Sequence, residues 1–241
     1  MNSIWIIAKR EIASYFDSLM AYIVIILFLL LTGFFTWLWP SNIFYSGQAD
    51  LGVFFFWVYF CLFLLIPAIT MKTIAEERSS GTLEILSTKA ITEWDIVIGK
   101  YLSVLIIITV AIACTLPYYF SVSKLGNVDH GSVVGGYIGI LLYSSAFIAL
   151  GVFASSLTNN QIIAFLLSFA FMALFSLVFW ALGNFFRGTL GGIINFLSAR
   201  THYDSISRGL IDSRDVLYFV GLTFLGLLFS QAMLSKRNWR N

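Results

Sequence analysis

Apolar residues fall in six long runs, at 20–39, 52–71, 102–120, 133–157, 162–182 and 216–234, and none of the runs contains a formal charge. A bilayer core of roughly 30 Å takes about 20 helical residues at about 1.5 Å each. Each run is therefore long enough to cross. Helices are predicted rather than a barrel, whose strands would alternate in polarity over about 10 residues. Pro67 and Pro117 sit near the ends of the second and third runs, where neighbouring helices can cover a freed carbonyl.

Shorter amphipathic pieces separate the runs. Before the first, Lys9, Arg10, Ala13, Ser14 and Asp17 share one helical face and Ile4, Trp5, Ala8, Ile12, Phe16 and Leu19 the other, which predicts a helix lying in the membrane interface. Residues 184–210 hold an apolar piece, 188–198, too short to cross. It reads as a re-entrant or interfacial segment. A second short helix is predicted over 201–208, ended by Gly209 in the left-handed conformation. Asp212 reads as the N-cap of the last run, with Asp215 a further carboxylate on the same helix end. Gly188 and Gly192, like Gly131, Gly135 and Gly139, recur at a spacing that permits close backbone approach.

Residues 75–101 differ from the rest. They carry eight formal charges, Glu76, Glu77, Arg78, Glu84, Lys89, Glu93, Asp95 and Lys100, interwoven with Ile85, Leu86, Ile91, Trp94, Ile96, Val97 and Ile98. So many apolar residues are unlike a free linker. Two short amphipathic helices are predicted, the second capped by Thr92 with Asp95 at N3. A folded polar element at the ends of two membrane helices suits the docking of a soluble partner.

Composition agrees with the runs: 59% of residues are hydrophobic, 11% are charged, and mean hydropathy is +0.90, against about 25% charged in soluble domains. The net charge of +2 gives no basic surface for nucleic acid. Nine of the 14 basic residues fall on the side of 75–101 and of both chain ends, which predicts that this side is cytoplasmic. Lys124, Arg187, Arg200, Arg208 and Arg214 oppose that bias without reversing it. The first run is long for a cleavable signal and is expected to stay as an anchor. Cys61 and Cys114, both in apolar runs, read as small hydrophobes.

Six spans, an amphipathic N-terminal helix, "EERSSGTLEILSTKAITEWDIVIGKYL" after the second span and a re-entrant segment before the sixth resemble the permease of an ABC-2 type transporter. The resemblance covers essentially the whole chain as a single transmembrane domain, 1–241. It implies an all-α integral membrane fold of the type V exporter kind, with a cytoplasmic coupling helix between spans 2 and 3. It implies that Glu76, Glu77, Arg78, Gly81, Thr82, Leu83, Glu84, Gly99 and Lys100 form the region that meets a separate ATPase. A proline common after the leucine-rich part of that motif is absent, with Lys89 and Ala90 in its place. The stretch from His202 to Trp239 is similar to gliding-motility-associated permeases of the Bacteroidetes type and to their relatives in copper-enzyme maturation.

The resemblance further implies two ATPase copies, a second permease copy or related permease, an auxiliary periplasmic or membrane subunit, and a bacterial inner-membrane location with both termini cytoplasmic. No Gly-x-x-x-x-Gly-Lys-Ser/Thr loop occurs: Gly99–Lys100 has Trp94 where the first glycine would stand and Tyr101 where the hydroxyl would stand. ATP and Mg are therefore expected on the partner, with no cofactor and no catalysis in this chain. An intramembrane enzyme would need activated nucleophiles, and the serines within the spans have no His, Lys or Asp beside them there. An ion-coupled transporter would need carboxylates near the midplane. His130 and His202, isolated and outside the spans, read as ordinary surface or interface residues rather than metal ligands. The aromatic-rich spans favour an amphipathic or lipid-linked substrate over a small ion. A scaffold for a motility or secretion assembly is the alternative that keeps the same architecture.

Overall fold

The computed structural model describes residues 3–39, 50–82, 92–186 and 188–238. All regular structure among them is helical. In chain order the helices are α1 (Ser3–Asp17), α2 (Met20–Trp37), α3 (Gly52–Thr70), α4 (Ala75–Ser79), α5 (Glu93–Ala113) and α6 (Leu116–Leu125), followed by α7 (His130–Leu157). The fifth span joins α8 (Gln161–Ala173) to α9 (Phe179–Phe185) through a π-helical turn at Leu174–Val178. Then come α10 (Thr189–Phe196), α11 (Ala199–Ser207) and α12 (Ser213–Asn238).

Among the described residues six segments are long and apolar enough to cross a membrane, and they coincide with the six runs. Their ends differ from the charge-free stretches in an instructive way. The third begins at Glu93, well before 102, and so includes Glu93, Asp95 and Lys100. Its path breaks at Cys114 and Thr115, just before Pro117 in the first turn of α6, as expected where a proline cannot receive the helix above it.

The fourth span, α7, is the axis of the bundle. Its residues from Ala146 to Leu150 are all buried, and spans 2, 3, 5 and 6 and α11 pack around it. By contrast 22% of the windows in spans 5 and 6 and 28% of span 1 are buried, leaving wide apolar faces outward. Several hydroxyls within the spans are satisfied locally or across helices: Ser144 donates to Ile140 O at 2.7 Å and Ser230 to Gly226 O at 2.8 Å. Ser145 Oγ lies 2.7 Å from the Tyr101 hydroxyl and 3.1 Å from Thr223 Oγ1, linking spans 3, 4 and 6. Such pairs are worth about 0.6 kcal/mol each within a membrane, so they set register more than stability.

α1 forms a helix over the predicted segment, but its buried stripe is shifted. Ile7, Ala8 and Tyr15 are buried, whereas Trp5 and Leu19 of the expected apolar face are exposed. α1 packs against α5 rather than standing alone, with Ile7 against Gly99 of α5 and Tyr15 reaching Ile69 O of α3. Leu19 joins α1 to α2 with φ of 61°, a left-handed conformation that costs a side-chain-bearing residue about 1–2 kcal/mol.

Candidate functional site

The charged region from Ala75 is built onto the end of α7. The first N–H groups of a short helix have no partner within it. Here Ser155 Oγ of α7 accepts from the N–H groups of Ile74 and Ala75 at 3.0 and 2.9 Å and donates to Met71 O at 3.1 Å. Arg78 Nη1 donates to Ser156 O at 2.7 Å, covering one of the open carbonyls at the C-terminus of α7. Both ends of α4 are thereby fixed to the fourth span.

Glu77 points the other way, toward α1 and α5. Glu77 Oε1 accepts from Arg10 Nη2 at 3.1 Å, and its Oε2 is 2.9 Å from Lys100 Nζ. Glu11 Oε1 accepts from Arg10 at 2.9 Å and lies 3.4 Å from Lys100 Nζ. Two carboxylates thus face one ammonium and one guanidinium. The Lys100 side chain is 1% exposed, and its close approach to Glu77 Oε2 is an ion pair without hydrogen-bond alignment. A buried charge of this kind is tolerable only while its counter-charges stay in place. The hydrogen bond to Glu11, and then the charges of Glu11 and Glu77, hold Arg10 above its ordinary value against partial burial.

Two further contacts position α1. A Cβ on Gly99 would lie 2.8 Å from Ile7 Cγ2 and 3.1 Å from Ile4 O, so only glycine lets the helices meet this closely. The Tyr15 hydroxyl, which burial holds protonated far above its usual range, donates to Ile69 O at 3.0 Å. A cleft of about 370 Å³ remains beside the cluster, with Lys72, Glu76 and Thr82 on its walls.

Thr92 and Asp95 form the reciprocal capping box of α5: Asp95 N–H donates to Thr92 Oγ1 at 3.2 Å and Thr92 N–H to Asp95 Oδ2 at 3.1 Å. The structure therefore brings together Glu77, Gly99 and Lys100 of the residues singled out by sequence. Arg78 faces α7, Glu76 is exposed, and Gly81, with φ of 73°, and Thr82 lie in an exposed turn. Leu83 and Glu84 lie outside the described residues. Sequence reading missed Arg10, Glu11, Tyr15 and Ser155 as parts of the site. One signal was available: Lys100 stands in "IVIGKYLSV", where a lone ammonium requires a partner from elsewhere.

The opposite end of the bundle follows a different chemistry. Asp212 caps α12 by accepting from Arg214 N–H at 3.0 Å, and that bond holds its carboxyl below the ordinary range. Asp215 lies in the first turn of α12 but is engaged sideways: its Oδ1 is 2.6 Å from His202 Nδ1. His202 Nε2 is 2.8 Å from Phe196 O, and its ring stacks on Tyr218 at 4.2 Å. His202 is thus a buried tie between α10, α11 and α12, the interface alternative of the sequence reading rather than the surface one. Gly209 has φ of 83° just past α11, while Arg208 is exposed. Gly188 and Gly192 have open space around them, so the close approaches in this region fall at Gly183 and Gly191 instead.

Among the described residues no group of three or more His, Cys, Asp or Glu side chains could hold a metal ion. What the arrangement offers is mechanical: a short helix fixed to one span and tied by charge to another span and to the N-terminal helix. This agrees with what the chain resembles. The model of the ABC-2 family transporter proteins matches residues 40–199, and the chain belongs to that family. With six membrane-length helices, it is a multi-pass membrane protein. It is 31% identical over 107 residues to the probable multidrug ABC transporter permease YbhR of Escherichia coli K12, and equally to its counterpart in Escherichia coli O157:H7. The alignment covers 44% of this chain and 28% of those relatives.

Proposed function

We propose that this chain is the permease subunit of an ABC transporter, with ATP and Mg held by a separate ATPase. Family membership and the identity to a probable multidrug permease support the reading. The observation that carries it is the double attachment of α4, to α7 through Ser155 and Arg78 and to α1 and α5 through Glu77. A force on the segment that α4 begins would reach spans 2, 3 and 4 and the N-terminal helix as one rigid displacement. Glu76, exposed in the first turn of α4, Gly81 and Thr82 just past its end, and Leu83 and Glu84 beyond them would meet the ATPase.

In this reading two ATPases serve two permease halves in a bacterial inner membrane, with α1 and both termini on the cytoplasmic side. α1 would lie in the interface, and α10 would dip into the outer leaflet and return. The cargo would be an amphipathic or lipid-linked molecule moved outward, in the service of gliding motility or a related envelope process. The test is a pull-down from native membranes followed by hydrolysis assays on the reconstituted complex. Replacing Gly81 to Glu84 should remove the ATPase from the pull-down and abolish substrate-stimulated hydrolysis. If both persist, the docking role is wrong; if cellular function survives a dead ATP site, the chain is a scaffold.

A further inference from the structure

A second cavity opens at the end of the bundle away from the charge cluster. It has a volume of about 410 Å³ and lies between α3, α7 and α11, in the range of roughly 300–1,000 Å³ typical of small-molecule sites. Rigid contacts frame it. A Cβ on Gly135 would come within 2.5 Å of Ile206 O, so α11 rests on the backbone of α7. The Tyr203 hydroxyl donates to Phe55 O at 3.0 Å and fixes α11 to α3. Tyr59 and Tyr203, each 3% exposed, line its inner part, and the Tyr59 hydroxyl has no aligned hydrogen-bond partner.

Arg200 and Arg208 stand on the cavity wall with Asp204 and Asp50. Arg200 is positioned with its guanidinium over the Trp180 ring at 4.2 Å, and its Nε is 3.8 Å from Asp204 Oδ2, beyond hydrogen-bond length. Asp50 is already used, since its Oδ1 accepts from Gly52 N–H at 3.0 Å. Burial pushes the Asp204 carboxyl up, with Arg200 and Arg208 opposing, and at 3.8 Å it leaves the Arg200 donors open to a further acceptor. Planar guanidinium donors without aligned acceptors suit a phosphate or carboxylate, which they can grip with two parallel bonds. Phe56, also on the wall and 46% exposed, continues the cavity onto the outer apolar surface of the second span.

We propose that this cavity binds the anionic headgroup of an amphiphile, a phosphate or carboxylate held by Arg200 and Arg208 with its apolar part laid along Phe56. Its role as a cargo site rests on the transport reading; the binding itself does not. The purified full chain in neutral detergent is titrated with phosphatidylglycerol, with phosphatidylcholine and with inorganic phosphate, and bound ligand is counted by native mass spectrometry. Phosphatidylglycerol should bind at least tenfold more tightly than phosphatidylcholine. Arg200→Gln and Arg208→Gln should each weaken it severalfold at unchanged melting temperature, and Arg200→Lys should recover only part of the loss. Displacement by millimolar phosphate identifies the headgroup alone as sufficient, and resistance to it identifies the acyl chain as part of the ligand. Equal binding of the two lipids, or phosphatidylglycerol binding untouched in both glutamine variants, overturns the proposal. ATPase co-purification is read on the same variants: its persistence with lost lipid selectivity separates the failure of one reading from that of the other.

Discussion

The two ends of this bundle solve the same problem, holding short helices against membrane spans, with opposite chemistry. At the α4 end the ties are four formal charges on three separate helices, Arg10, Glu11, Glu77 and Lys100. At the far end they are an imidazole between a carboxylate and a carbonyl, with Tyr218 stacked on it. Charge pairs act over several ångströms and survive small changes in angle. Aromatic stacking and short hydrogen bonds do not. The first end is therefore suited to moving as a unit under load, and the second to keeping α10, α11 and α12 in one arrangement.

The strongest way to break the contrast is at the charge cluster. Glu77→Ala leaves the buried Lys100 with Glu11, at 3.4 Å, as its one remaining counter-charge in the cluster, and losses of about 3–5 kcal/mol are typical when one member of a buried pair is removed. Thermal unfolding in detergent should show a large fall in melting temperature, and the double variant Glu77→Leu with Lys100→Met should recover much of it. At the other end, His202→Ala strands the Asp215 carboxylate and should cost about 1–3 kcal/mol. Hydrogen exchange should then rise in α10 and α11 while α4 keeps its protection, which locates the damage.

Gly99→Ala tests packing without touching charge. The added methyl meets Ile7, and overpacking of this kind costs about 1–3 kcal/mol. Protease access to the junction between α1 and α2 should rise even though the four charges remain. Leu19→Gly should act in the opposite direction, since glycine adopts the left-handed conformation freely. A gain of up to about 1 kcal/mol, read from the melting temperature, is expected.

The smallest effect is a pH dependence at Asp204, whose carboxyl is raised by burial. A group whose folded value lies above its unfolded one contributes stability at low pH that is lost as pH rises through the folded value. Asp204→Asn should therefore match the parent in melting temperature below pH 4 and exceed it slightly at pH 7. A variant less stable than the parent at pH 7 would contradict the raised carboxyl.

Much of the architecture was legible because it depends on local pattern. The six crossings follow from uninterrupted apolar runs, and the Thr92 and Asp95 capping box, the Asp212 cap and the left-handed Gly209 follow from residue types at fixed offsets. The predicted start of the third span was late because a charge-free window stops at Lys100, and only a partner makes that lysine admissible inside a helix bundle. Glycine spacing was a weaker guide: Gly135 and Gly139 do meet α11, while Gly188 and Gly192 meet nothing nearby.

What the sequence by itself determined is which stretches cross and where the capped helix ends at Thr92, Gly209 and Asp212 fall, since these depend on burial of apolar surface and on backbone groups a few residues apart. Partnership was decided by the tertiary structure alone. Nothing within α1 reveals that Arg10 and Glu11 serve Glu77 and Lys100, or that Ser155 caps α4 from some 80 positions away. A side-chain charge or hydroxyl can be satisfied by any complementary group within about 3 Å, and which group arrives there depends on how α7 gathers the other helices around it.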